Sequence, residues 1–124
     1  MSQIKQVIVM RKDLNMRRGK EIAQGAHASM AFLSIIAQSE GKYLLKDVEK
    51  QWLNGTFTKV CVRVNSEQEL DAIAEAARKE FLTVSVITDS GKTEFAGVPT
   101  KTCLAIGPDL AEKVDKITGA LALY

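Results

Sequence analysis

The side chains best suited to chemistry begin in a basic segment, Met16–Ala28. Lys20, Gln24 and His27 follow one another there at intervals of four and three positions, so in a helix an ammonium, an amide and an imidazole would share one face. These groups could stabilise an anion, hydrogen-bond a hydroxyl or carbonyl, and transfer a proton. A structural interpretation stays open, in which the lysine pairs with a nearby carboxylate and the histidine donates to a backbone carbonyl.

A second polar segment, Asp89–Glu94, follows a β-branched run and contains an acid, a glycine turn and Thr93. Asp89 alone is typical of a turn cap, whereas a carboxylate beside a lysine could orient a water molecule. Further on, Thr100 and Thr102 open another apolar run. Because side chains alternate along a strand, their hydroxyls are expected on one face, together with the alternate apolar residues that follow.

Positive charge is concentrated at one end of the chain. The net charge is +2 over 124 residues, but the first 20 residues contain six basic residues and one acid, a local charge of +5. Arg17 and Arg18 lie beside Lys20 at the expected start of a helix. A cation there interacts unfavourably with the helix dipole, at a free-energy cost of roughly 0.3–1 kcal/mol. A bound anion would offset this cost, so the patch suits a phosphate-bearing partner. A solvated loop is the alternative.

Composition predicts one soluble, cytoplasmic domain over residues 1–124, since hydrophobic residues make up 46% and charged residues 26%. No apolar run approaches the ~18 residues that a membrane span needs, and the N-terminus lacks a signal-peptide layout. Cys61 and Cys103 lie in apolar runs and are expected to be buried free thiols. One histidine and two cysteines argue against a metal site, and no cofactor is expected.

Hydrophobic periodicity predicts strands at 4–10, 56–64, 82–88 and 100–106, and helices at 19–38, 42–53, 66–80 and 107–117. In the first helix, Ile22, Ala26, Met30 and Leu33 are expected to face the core. Strands separated by helices favour parallel pairing, whereas the 11-residue link before the last strand favours an antiparallel pair. The expected fold class is therefore α/β, with a mixed four-stranded sheet in a three-layer α/β/α arrangement.

This topology predicts where the polar segments meet. Sites in open α/β sheets lie beyond the carboxyl ends of the parallel strands. Residues 11–20 follow the first strand and Asp89 follows the third, while Thr100 and Thr102 open the antiparallel fourth strand at the same edge. We therefore expect the three segments to converge.

Taken in order, these motifs resemble the type-2 peptidyl-tRNA hydrolase family. The resemblance rests on a basic Gly-Lys followed by Ala-Gln and His-Ala, then Asp-x-Gly-x-Thr, Thr-x-Leu-Ala-Ile-Gly-Pro and Leu-x-Leu-Tyr, and it spans nearly the whole chain. It implies a strand order of 2-1-4-3 with strand 4 antiparallel, and a homodimer. It also implies metal-independent hydrolysis of the ester that joins a peptide to the terminal ribose of tRNA.

Under this resemblance the family's functional positions fall on Lys20, Gln24, Asp89, Thr93 and Thr102. We expect water to be the nucleophile, with Asp89 positioning or deprotonating it and Lys20 stabilising the oxyanion or the leaving ribose oxygen. Thr93 and Thr102 are expected to hold the water or the ester carbonyl. Substrate binding is expected from Gln24, His27, Arg17, Arg18 and Thr100, with the arginines on acceptor-stem phosphates.

The chain departs from the family's usual pattern at Gly25, Lys92, Glu94, Pro99 and Ala122. Glu94 adds negative charge, and Ala122 replaces a common lysine, near the expected RNA surface. Two other functions therefore stay open. One is an RNA-binding module without turnover, and the other is a hydrolase of a small ester that is not attached to RNA.

Overall fold

A mixed four-stranded sheet with helices on both faces positions the polar segments, as seen in a computed structural model that describes residues 3–124. The strands are β1 (Ile4–Arg11), β2 (Lys59–Val64), β3 (Val84–Asp89) and β4 (Thr100–Leu110), and the helices are α1 (Arg18–Gln38), α2 (Asp47–Asn54), α3 (Glu67–Lys79) and α4 (Ala111–Thr118). The strand order is β2-β1-β4-β3, with β2 parallel to β1 and β4 antiparallel to both neighbours. The predicted fold class and strand order are confirmed.

Alternating side chains divide the core between the two faces of the sheet. Val7 and Val9 of β1 join a large apolar cluster that packs against α3 and α4. Met10 of the same strand belongs to a smaller cluster beneath α1. The α1 face also buries polar groups, because the amide of Gln6 donates to the Ser29 carbonyl at 3.0 Å and accepts from the Ser29 hydroxyl at 2.5 Å. Polar contacts and a few small residues therefore hold α1 to the sheet.

An irregularity in β4 determines where Thr102 points. Between the paired residues Ile87–Cys103 and Thr88–Lys101, β4 contains one residue more than β3. Thr102 is the extra residue of this bulge, and a bulge interrupts the alternation of side chains. Thr102 and Cys103 consequently both contact α1, while the alternate apolar residues of β4 pack on the opposite face. The expectation that Thr102 shares their face is wrong.

Helix α1 turns a different side to the sheet from the one predicted. Ile22 and Met30, expected inside, are 67% and 62% exposed. The inward residues are smaller or more polar, apart from one aromatic ring: Gln24, Gly25, Ala28, Ser29 and Phe32. The expected stripe is wrong because buried hydrogen bonds and the close approach of small residues orient this helix.

Two other boundaries also differ from expectation. Helix α2 begins at Asp47 rather than at 42, because the Glu49 carboxylate accepts from the Lys46 backbone N–H at 2.7 Å and fixes the start there. The segment 107–109, expected to open the last helix, continues β4 instead, since β4 stays paired with β1 as far as Leu110. None of the helices in residues 3–124 combines the length and apolarity needed to cross a bilayer.

Candidate active site

The two polar segments meet where β1 and β3 end. Lys20, in the first turn of α1, donates from Nζ to Asp89 Oδ1 at 2.8 Å and to Thr93 Oγ1 at 2.9 Å. The side chains of Lys20 and Asp89 are only 17% and 11% exposed. The protein's own carboxylate therefore provides the anion that offsets a cation at a helix N-terminus.

Buried polar contacts support this ion pair from below. Gln24 donates from Nε2 to Asp89 Oδ1 at 3.3 Å, and the Thr102 hydroxyl donates to Gln24 Oε1 at 2.5 Å. Gln24 and Thr102 are 4% and 0% exposed. Because the hydroxyl occupies the amide oxygen, the amide N–H₂ of Gln24 is directed toward the carboxylate. Thr102 thus reaches Asp89 through Gln24.

Asp89 also caps its own turn, as its residue type alone suggested. Its Oδ2 accepts from the backbone N–H of Gly91 at 2.9 Å. Gly91 has a φ of +83°, and a Cβ there would lie 2.2 Å from the Val98 carbonyl oxygen, so only glycine fits. This donor was not predicted from the sequence, although an Asp two positions before a Gly is a signal for such a contact.

Hydrogen bonds from Lys20 and then from the Gly91 backbone lower the pKa of Asp89 from its ordinary value. The side chain therefore stays ionised across neutral pH. A carboxylate with a lowered pKa is a weak base, so its chemistry is better suited to orienting a water molecule and stabilising positive charge than to holding a proton.

The remaining expected binding residues surround this centre. Arg17 is 81% exposed and donates from Nε to Glu94 Oε1 at 2.9 Å. Arg18 is exposed and lines a groove on the other side of α1. Thr100 pairs with Asp89 in the sheet, but its hydroxyl donates to the Val98 carbonyl at 2.8 Å. This side chain therefore stabilises the loop that precedes β4.

His27 is exposed on the wall of a groove between α1 and β3. Among residues 3–124, its imidazole has no hydrogen-bonding partner, so the alternative in which it donates to a backbone carbonyl is not observed. His27 and Asp89 line the same groove, where a ligand could meet both.

The basic patch is smaller than the residue count suggests. Lys5 pairs with Asp115 at 2.6 Å, and the buried Arg11 pairs with Asp13 at 2.6 Å. Both cations are therefore neutralised within the protein. Arg17 is also paired, with Glu94, although it is exposed, so Lys12 and Arg18 are the exposed cations around the start of α1 for which the described residues show no ion pair.

Neither cysteine is suited to act as a nucleophile. Cys103 is fully buried, and burial raises the pKa of its thiol to about 11. Cys61, expected to be buried, is half-buried, and partial burial also raises its pKa. Both thiols are therefore protonated at neutral pH. In the described part of the chain, no three potential metal-ligating side chains are grouped together.

Two grooves flank α1. The groove between α1 and β3 has a volume of about 960 Å³ and ends at Asp89 and Ser90. The second, of about 570 Å³, is almost wholly apolar and lies against β1 and β2. It includes the exposed Ile22 and Met30, the residues that were expected to face the core.

Comparison with known proteins identifies the family. The sequence model described as "Peptidyl-tRNA hydrolase PTH2" matches residues 4–124. The chain belongs to this family. A peptidyl-tRNA hydrolase of Methanocaldococcus jannaschii is 45% identical, with 97% of this chain and 99% of that protein covered. One of Haloquadratum walsbyi is 40% identical, with 98% and 100% covered. The resemblance drawn from the motifs is confirmed.

A solved structure supports the fold independently of sequence. A protein of unknown function from Agrobacterium tumefaciens superimposes with a TM-score of 0.60, covering 100% of this chain and 99% of its own. Its sequence identity is 16%, so the likeness concerns the fold alone.

Proposed function

We propose that this protein hydrolyses the ester between the peptide and the terminal ribose of peptidyl-tRNA, with water as the nucleophile. Membership of the family supports the reaction class. The observation that carries the proposal for the site is the pattern of unused hydrogen-bonding positions around the Lys20–Asp89 pair.

A carboxylate offers about four acceptor positions and an ammonium three donors. Asp89 accepts from Lys20, Gln24 and Gly91, which leaves about one acceptor position. Lys20 donates to Asp89 and Thr93, which leaves one N–H. Lys20 and Gln24 both donate to Oδ1, so the open acceptor position is on Oδ2, the other oxygen of the carboxylate that Nζ contacts. The unused donor and acceptor therefore belong to neighbouring groups. A carbonyl oxygen at the first and a water molecule at the second match this pair.

In the proposed reaction, Asp89 orients the water for attack on the ester carbonyl carbon. Negative charge develops on the carbonyl oxygen, where the unused N–H of Lys20 stabilises it. The bond from the carbonyl carbon to the ribose oxygen then breaks. The proton lost by the water passes to that oxygen, through Asp89 or a second water, to give the free peptide acid and free tRNA. The weak basicity of Asp89 favours prompt release of the proton.

The exposed cations at the start of α1 support the proposed binding of tRNA. Lys12 and Arg18 can contact backbone phosphates, and Arg17 can do so by exchanging Glu94 for a phosphate. An RNA helix is recognised mainly by its shape. We also propose that residues 1–124 act as one cytoplasmic domain and form a homodimer. The exposed apolar side chains of Ile22 and Met30 on α1 support the dimer.

One assay tests the activity against its alternatives: release of a labelled N-acetylaminoacyl group from tRNA, beside a small ester of the same acid. Lys20→Met should lower kcat by about 100-fold or more, as expected for the loss of a preorganised donor. The matched control is Lys79→Met, whose cation lies exposed on α3. Salt-sensitive tRNA binding without release would favour the RNA-binding module. Equal turnover of the small ester would favour a hydrolase that does not recognise RNA.

A further inference from the structure

The two edge strands of the sheet, β2 and β3, differ in whether another segment forms backbone hydrogen bonds with their outer side. Beside β2, the last residues of the chain add backbone hydrogen bonds: Arg63 N–H donates to the Ala122 carbonyl at 3.0 Å, and Tyr124 N–H donates to the Cys61 carbonyl at 3.1 Å. At the other end of the sheet, the described residues give β3 no such cover. Within residues 3–124, the backbone of residues 84–90 forms hydrogen bonds to β4 alone.

Strand β3 lacks three common devices against pairing with another strand. Proteins commonly protect an edge with lysine, proline or a very short strand. Strand β3 has six residues, Val-Ser-Val-Ile-Thr-Asp, with neither lysine nor proline among them. Its outward N–H and C=O groups therefore form a template for an extended chain.

The groove between α1 and β3 follows this edge. Five consecutive residues, 86–90, line it. Successive side chains of a strand point to opposite faces, and a groove that runs along the backbone edge meets consecutive residues, as this one does. The facing wall of α1 combines small side chains with larger ones, Ala23, Ala31 and Ser34 with His27, Met30 and Ile35. The volume of about 960 Å³ is at the upper end of common ligand sites.

We propose that the peptide part of the substrate binds in this groove as an added strand, parallel to β3. The inference rests on the proposed function, because the ester carbonyl must reach Lys20 and Asp89. Asp89 is the last residue of β3, and the ester is at the carboxyl end of the peptide. The peptide must then extend back toward Val84 and run in the same direction as β3.

This mode of binding fits peptides of many sequences. Main-chain hydrogen bonds to a strand edge do not depend on side-chain identity. The small residues of α1 opposite the edge leave room for substrate side chains of different sizes. At about 3.3 Å per residue, the five lining positions span roughly 13 Å, which accommodates about four residues of the peptide.

The first test uses the wild-type protein and tRNA acylated with defined peptides of one to six residues. We expect kcat/KM to rise with length and to level off near four residues. In a parallel pair, alternate residues direct their N–H toward the neighbouring strand. Methylation of the peptide nitrogens one at a time should therefore lower kcat/KM by about two- to tenfold at alternate positions only. Hydrolysis that ignores both length and methylation overturns the inference and leaves the proposed function intact.

The second test obstructs the groove at Ala31, with Ala37 as the matched control. Ala31 lines the groove, and Ala37 is exposed on the same helix and lines neither groove. Ala31→Trp should lower the ratio of kcat/KM for the tetrapeptide ester to that for the N-acetylaminoacyl ester at least fivefold, and Ala37→Trp should preserve it. An unchanged ratio overturns the inference. If the wild type shows no dependence on peptide length and Ala31→Trp separates a dimer into monomers, the β3 edge binds a second copy of this chain. If the wild type hydrolyses no tRNA ester at all, the proposed function itself is overturned.

Discussion

Replacing Asp89 by Asn separates a catalytic carboxylate from a turn cap. Lys20 Nζ lies 2.8 Å from Oδ1, and the Gly91 N–H lies 2.9 Å from Oδ2. Both neighbours are donors, whereas an asparagine side chain has one acceptor oxygen and one donor nitrogen. If the oxygen of the new residue stays with Lys20, its N–H₂ faces the Gly91 N–H, and one hydrogen bond is lost.

The expected magnitude follows from this geometry. A donor left without its acceptor in a largely buried place costs about 1–3 kcal/mol, so the free energy of unfolding should fall by that amount. If Asp89 orients or deprotonates the water, kcat should fall by roughly 10²–10⁴-fold. Substrate binding should change less, because the cations proposed to bind phosphates are elsewhere.

The pH dependence gives a second measure. Because the folded protein lowers the pKa of Asp89, its stabilisation is complete above the unfolded pKa of about 3.9 and is lost as the pH falls through the lower, folded value. The stability difference between wild type and Asp89→Asn should therefore shrink below about pH 4. The acidic limb of wild-type kcat/KM should also lie below that pH. An acidic limb near pH 6–7 would indicate a different titrating group.

The assays are hydrolysis of labelled N-acetylaminoacyl-tRNA at saturating concentration and urea unfolding at neutral and acid pH. Asp71→Asn is the matched control, since Asp71 also pairs with a lysine, Lys101, at 3.0 Å. It lies in α3, on the other side of the sheet. A variant at Asp89 that loses the expected stability but keeps kcat within about threefold would refute the catalytic role, since general acid–base groups contribute far more than that.

Three further predictions concern the surrounding residues. Arg17→Glu with Arg18→Glu should raise KM for peptidyl-tRNA and flatten the salt dependence of tRNA binding by roughly one log–log unit for each lost phosphate contact. Thr102→Val removes the one donor that residues 3–124 offer to the buried amide oxygen of Gln24. It should lower both kcat and the free energy of unfolding, the latter by about 1–3 kcal/mol in urea titrations. Since their thiol pKa values are raised, Cys61 and Cys103 should resist iodoacetamide near pH 8 in the native protein, without loss of activity.

Each of these predictions has a contrary result. Lys79→Glu with Lys116→Glu makes the same change in net charge on the other side of the sheet. If this pair alters the salt slope as much as the arginine pair does, the effect is one of overall charge. Thr102→Ser keeps the hydroxyl and should preserve kcat. An equal loss of kcat in Thr102→Val and Thr102→Ser would indicate that side-chain packing, not the hydrogen bond, is responsible. Inactivation that parallels thiol alkylation would contradict a water nucleophile.

Local pattern and connectivity predicted the elements and the mixed sheet, whereas the strand order was implied by the family resemblance. Alternating β-branched residues identify the strands, and the link without a helix identifies the antiparallel pair β3–β4. The carboxyl ends of β1 and β3 bring their loops together in any sheet of this order. The contact between Lys20 and Asp89 was therefore foreseeable without knowledge of side-chain packing.

The differences arise where distant segments decide the outcome. The bulge at Thr102 depends on the pairing of β3 with β4, and nothing in the local sequence indicates which residue is extra. Periodicity identifies an apolar stripe on α1, but it does not show whether that stripe packs against the sheet. Ile22 and Met30 are exposed because hydrogen bonds to β4 and β1 hold Gln24 and Ser29 on the inner side of the helix.

The unequal division of the core has a consequence for dynamics. The face that packs against α3 and α4 buries the larger apolar cluster, whereas α1 is held by a smaller cluster and by polar pairs such as Gln6–Ser29. Regions that bury less apolar surface open at lower free energy than the whole molecule unfolds. Local detachment of α1 would remove Lys20 from Asp89 and leave the opposite face intact. A substrate that bridges α1 and β3 binds only the closed arrangement, so occupancy itself would tighten the helix against the sheet.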